Sequence, residues 1–133
     1  MSALSQPKVL GDWLKFEEDN YYCRKAVTIL SGEKLVSGAV VAARNDGANA
    51  GKIVAYDGDG ANGIDVAVGL LVEPIDASAT GTNADTAGTI IARGPASINP
   101  DEITFASGQS SVDDIPEALA DLLALGIVSQ EGA

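Results

Sequence analysis

Apolar residues along this chain come in short runs broken at near-regular intervals by glycine, asparagine, aspartate and serine, a spacing that predicts short β-strands joined by turns. Residues 26–30 read as a strand, Ser31-Gly32 as a turn, 34–36 as a short extension, Ser37-Gly38 as a second turn and 39–44 as a further β run. Asn45-Asp46-Gly47 marks a reversal. Residues 52–56 alternate, with Ile53 and Ala55 on one face and Val54 and Tyr56 on the other. After a glycine-rich loop, residues 64–72 form the most apolar stretch and read as a strand, with Pro74 preventing further ladder pairing. Residues 77–85 are small, polar and loop-like; 89–93 is another strand, ended by Gly94-Pro95.

Helical signals come late. Asn99-Pro100-Asp101-Glu102 offers a cap, a first-position proline and an acid placed to reach back. The stronger helix spans 115–125: Asp113 and Asp114 stand at its positive end, Pro116 and Glu117 lie in its first turn, and Ile115, Leu119, Leu122 and Leu123 fall on one face. Gly126 supplies the left-handed residue after the helix, and Ile127 can fold back on Leu122. The pattern is that of one mainly β domain with a C-terminal helix, an α+β arrangement, without internal repeats or heptads. At 133 residues there is room for one core.

Residues 1–25 show no sustained period and read as an extended N-terminal arm, leaving 26–133 as the folded body. Four of the six aromatic residues, Trp13, Phe16, Tyr21 and Tyr22, sit in that arm, joined by Val9, Leu10 and Leu14. Aromatic anchors concentrated near a terminus suggest a segment that docks on a partner. The opposing reading, that the segment packs on its own domain, is equally open at this level. Hydrophobic residues make up 46% of the chain, but alanine and valine carry much of that share, so the core is expected to be small-grained and association would strengthen it.

Charge is uneven. Residues 1–52 hold six acids and seven bases, whereas 53–133 hold thirteen acids and one base, Arg93, within a total of −11. No basic patch of useful size exists after Lys52, which argues against nucleic acid as a partner and for a surface that stays soluble at high local concentration. No apolar run reaches the roughly 20 residues that span a bilayer, and residues 1–8 lack a signal-peptide pattern, so the protein is expected to be made and kept in the cytosol with no membrane partner. The single cysteine, Cys23, excludes an internal disulfide; it reads as a small buried apolar group, against the alternative of a reactive thiol beside Arg24.

Three motifs bear on chemistry. Gly58-Asp-Gly60-Ala-Asn-Gly63 fits a dinucleotide-binding spacing, but it opens a strand-like segment where the pyrophosphate requires a helix N-terminus. Asp57, Asp59, Asn62 and Asp65 could gather round calcium, yet Asn62 falls where an EF-hand needs glycine and Val68 where it needs glutamate. The chain has no histidine, and its paired carboxylates, Glu17-Glu18-Asp19 and Asp113-Asp114, look solvent-facing. No catalytic residues, metal or cofactor are therefore assigned.

In order, Tyr21-Tyr22-Cys-Arg-Lys-Ala-Val-Thr-Ile-Leu-Ser-Gly32, Leu35-Val-Ser-Gly-Ala-Val-Val41, Gly51-Lys-Ile-Val-Ala-Tyr-Asp57, Ala67-Val-Gly-Leu-Leu71, Ile91-Ala-Arg-Gly94 and Leu122-Leu-Ala-Leu-Gly-Ile-Val128 resemble the lambda-type bacteriophage head decoration proteins. The resemblance covers about residues 9–130 and implies a small β-clip-like domain with a helical C-terminal portion. It further implies a homotrimer on the outer surface of the phage head at threefold positions, with an arm, here about 9–24, that adds to a strand of the major capsid protein. The residue-level reading agrees: ordering so long an arm costs more conformational entropy than its aromatics return, so the free arm should be loose and should dock only where a sheet edge adds main-chain bonds and a trimer raises effective concentration. The function expected is cementing of capsomers against internal DNA pressure, with Val9, Leu10, Trp13, Leu14, Phe16, Tyr21 and Tyr22 as the docking residues. The alternative is a small β-clip or adhesin-like module binding a carbohydrate or small ligand through the loops at 45–51 and 57–63; a carboxylate enzyme is a third, weaker option.

Overall fold

In the apolar runs Val40-Val41-Ala42, Leu70-Leu71 and Ile90-Ile91, consecutive side chains are all buried, which a sheet with one wet face does not allow. The computed structural model, which describes residues 13–17, 23–57, 63–99, 103–104 and 114–129, shows why. These runs belong to β4 (Val40–Ala43), β6 (Gly69–Leu71) and β8 (Thr86–Ile91), which with β2 (Arg24–Ile29) and β5 (Ile53–Ala55) make a closed barrel in the order β2-β5-β4-β6-β8. In β4, β6 and the Ile90-Ile91 end of β8 one face looks into the barrel and the other is covered from outside, whereas β2 leaves Lys25, Ala26 and Thr28 exposed.

Inside the barrel, Ile29, Val41, Ile53, Leu71 and Ile90 form one core cluster, with Leu35, Ala39 and Ala77 closing over it. The cross-strand partners obey the pleat: Leu71 faces Ile90 on the inside, and Leu70 faces both Val40 and Ile91 on the outside. The outer cluster adds Trp13, Tyr56, Ile98, Leu122 and Ile127. Its cover is a three-stranded sheet, β1 (Leu14–Glu17), β9 (Ala96–Ile98) and β10 (Ile127–Ser129) in the order β1-β9-β10, together with helix α1 (Asp114–Ala124). A two-stranded ribbon, β3 (Lys34–Leu35) with β7 (Ile75–Asp76), completes the set, and a 3-10 turn lies at Gly47–Asn49.

The molecule is thus a mostly β single domain with one C-terminal helix, the class expected from the sequence. The turns at Ser31-Gly32, Ser37-Gly38 and Asn45-Asp46-Gly47 are where the pattern placed them, with left-handed glycines at Gly32, Gly38 and Gly47. Gly126 takes φ +87° after α1, and Ile127 is buried in the same cluster as Leu122, so the helix ends as expected.

Several expectations need correction. The strand expected over 64–72 shrinks to β6, because 63–66 form a turn in which Val66 N–H donates to Gly63 C=O at 3.3 Å, and Ala67 N–H donates to the Asp121 carboxylate at 3.0 Å. Leu123, expected on the buried face of the helix, is 59% exposed; the buried stripe runs through Ala118 and Leu122, one turn apart. Strands β1, β7, β9 and β10 were not expected at all. The first of them falls inside the segment read as an extended arm. The proposed helix start at Asn99-Pro100-Asp101-Glu102 lies outside the described residues beyond Asn99.

Candidate functional site

β1 lies along β9 in antiparallel pairing, Leu14 opposite Ile98, Phe16 opposite Ser97 and Glu17 opposite Ala96, with an irregularity at Lys15. β10 lies along the other side of β9 in parallel, Val128 opposite Ser97 and Ile127 opposite Ala96. Directly paired residues share a face, so Phe16, Ser97 and Val128 form one row pointing away from the core, while Ile98, Ala96 and Ile127 point into it. Phe16 is 51% and Val128 47% exposed. Two apolar side chains thus stand on the outer face of the sheet that holds the N-terminal strand.

Trp13, at the root of that strand, is fully buried. Its indole N–H donates to the Ser37 hydroxyl at 2.9 Å, and Ser37 in turn donates to the Val72 carbonyl at 2.7 Å, so both polar groups are satisfied inside the core. Gly38 makes the room: a Cβ there would come within 2.7 Å of the indole Cδ1, and its φ of +84° disfavours any side chain. The Ser37-Gly38 turn is therefore a cradle for one ring. The main chain is tied as well, Asn99 N–H donating to the Trp13 carbonyl at 2.8 Å.

The expectation of a loose arm through residue 25 is corrected for the residues described. Trp13 lies in the protein's own core and Leu14 packs against that cluster; neither is free to dock elsewhere. The reason is volume. Between the barrel and its cover the outer cluster includes the small side chains Ala42, Ala67, Ala96 and Ala118, and the space beside them is filled by the two largest, Trp13 and Tyr56. Phe16 is the expected docking residue that the structure leaves on the surface. Val9, Leu10, Tyr21 and Tyr22 lie outside the described residues. Val128 and Leu123 are exposed apolar residues that the sequence reading missed as surface; the alternation Ile127 in, Val128 out was the available signal once the segment after the helix is read as a strand.

Glu17 is not a solvated carboxylate either. It accepts two hydrogen bonds from Arg24, Nη2 to Oε1 at 2.5 Å and Nε to Oε2 at 3.2 Å, clamping β1 to the start of β2. The guanidinium is held above its ordinary pKa, first by that hydrogen bond, against a smaller opposing cost of burial. Cys23 is fully buried, its thiol directed at the Pro95 carbonyl at 3.6 Å, in keeping with a small core residue. Of the four oxygens considered for calcium, Asp59 and Asn62 lie outside the described residues, as do Gly58 and Gly60 of the glycine motif. Among the described residues no helix is long and apolar enough to cross a membrane.

The anchored N-terminal strand and the outward apolar row beside it belong to a small, mostly β single domain with one C-terminal helix. Residues 3–127 match the family model of the bacteriophage lambda head decoration protein D, and the chain belongs to that family of structural phage capsid proteins. No curated protein gives a significant match.

Proposed function

We propose that this chain binds the outer surface of the phage head as a homotrimer at threefold positions, made in the host cytoplasm and added to the virion. There it cements neighbouring subunits of the major capsid protein against the pressure of packed DNA. The contact is made by the segment preceding Trp13, including Val9 and Leu10, with Phe16 and Val128 extending the face at its root. Tyr21 and Tyr22 contribute from the connection between β1 and β2.

The observation that carries this reading is the anchorage of β1. A cementing segment transmits load, and a load on residues before Trp13 meets a buried indole, the β1–β9 ladder and the Glu17–Arg24 clamp before it reaches the barrel. The docking segment can be pulled without unravelling the body. The acidic surface keeps many copies from sticking at random on a crowded shell.

The test is a truncation that spares the anchor. Removal of residues 1–11 is expected to leave a folded trimer, by light scattering and circular dichroism, that no longer binds heads in a sedimentation assay. Unchanged affinity of the truncated protein would refute the arm. Removal of residues 1–22 is not a valid substitute, because it also extracts Trp13 from the core.

A further inference from the structure

The barrel closes through one bridge. β2 and β5 meet where Ile29 faces Ile53, with Leu30 N–H donating to the Ile53 carbonyl at 3.0 Å. Toward Arg24 the pairing stops, and a cleft of about 640 Å³ opens between β2 on one wall and Ala43, Gly51 and Val68 on the other.

The phase of the β2–β8 ladder says which backbone groups face that cleft. Ala92 N–H donates to the Cys23 carbonyl at 2.8 Å, and the register continues unbroken from Arg24 opposite Ile91 to Ile29 opposite Thr86. Antiparallel partners exchange bonds in alternate pairs, so Lys25, Val27 and Ile29 bond to β8, while the N–H and carbonyl of Ala26 and the N–H of Thr28 point the other way. Among the described residues no strand pairs with them. Lys25, Ala26 and Thr28 are exposed. A row of main-chain donors and acceptors beside an apolar floor of Ile53, Val68 and Ile90 is the geometry that accepts an added strand.

Charge selects the occupant. In a chain of net charge −11, the cleft is bordered by Lys25 and Arg93 and lined by no carboxylate. We infer that this edge pairs with an edge strand of a second copy of the same chain. The copy supplies the complementary chemistry: β10 ends its sheet and exposes Val128 and Ser129, in the part of the chain, residues 53–133, that holds thirteen acids and one base. Because the two edges are different surfaces, the contact is head-to-tail, the kind that closes into a ring or runs on as a filament, and the trimer proposed above is the closed case. The inference rests on the self-association proposed above and assigns it a surface.

The test uses the full chain and Ala26→Pro, which removes a cleft-facing N–H without breaking a bond to β8, at a position where an edge strand tolerates proline. Light scattering is expected to give a threefold mass for the parent protein and a threefold lower mass for the variant, with the circular dichroism spectrum retained. In the parent protein, the Ala26 and Thr28 amides are expected to exchange at least tenfold more slowly in the assembly than after dilution to monomer. Should A26P fail to fold, that exchange measurement decides alone. A variant with undiminished mass, or amides that exchange equally fast in both states, overturns the inference while leaving the trimer intact. A variant that stays trimeric but no longer binds heads assigns the edge to the capsid, and overturns it too. A parent protein that is monomeric at every concentration overturns the self-association itself.

Discussion

If the N-terminal strand is anchored through Trp13, replacing that residue must destabilise the whole domain and not merely a terminus. The indole is fully buried in the outer cluster. Truncation to alanine removes its transfer free energy and leaves a cavity, together about 3–5 kcal/mol, against a total stability of about 5–15 kcal/mol for a domain of this kind. Ser37→Ala keeps the ring but orphans its N–H and removes the donor to the Val72 carbonyl, at about 1–3 kcal/mol. Because the two residues share one hydrogen-bond chain, the double variant is expected to lose less than the sum of the singles. Urea unfolding followed by far-ultraviolet circular dichroism reads these differences as shifts of midpoint at constant slope. Trp13 is the only tryptophan, so emission of the parent protein is an independent check: it should be blue-shifted and shielded from iodide. Trp13→Ala within about 1 kcal/mol of the parent, or native emission matching that of the urea-unfolded chain, would refute the anchor.

Two further outcomes follow from particular contacts. Leu122→Ala is expected to cost about 2–5 kcal/mol, and Leu123→Ala to stay within about 0.5 kcal/mol, measured by the same unfolding assay; equal losses would mean that the helix presents another face to the core. The Asp85 carboxylate is held below the ordinary aspartate range, first by Lys52 at 2.6 Å and then by the Ser31 N–H at 2.9 Å. A lowered folded value means that its contribution is complete above the ordinary value near ~4 and fades as pH falls through the folded one. Asp85→Asn should therefore flatten part of the fall in melting temperature on acidification below about pH 4, and identical slopes for the two proteins would count against the contact.

The class of the molecule was legible in the order of the residues alone. Local signals sufficed for that: Gly32, Gly38 and Gly47 where the chain must turn left-handed, the alternation of 52–56, and a helix ended by Gly126 with Ile127 folding back on Leu122. The ordered apolar segments were also enough to suggest the family that residues 3–127 match. The burial of Trp13 and the length of the strands, by contrast, follow from the packed layers. Whether Trp13 is a docking anchor or a core residue depends on a cavity between the barrel and the β9 sheet, and that cavity exists only once Ser37, Gly38 and Val72, remote in sequence, have come together. Likewise the runs at 40–42, 70–71 and 90–91 carry no two-residue alternation, because both faces are buried, one by the barrel's own lining and the other by α1 and the three-stranded sheet. Periodicity reports how many faces of an element meet water, and that number is a property of the assembled layers, not of the segment.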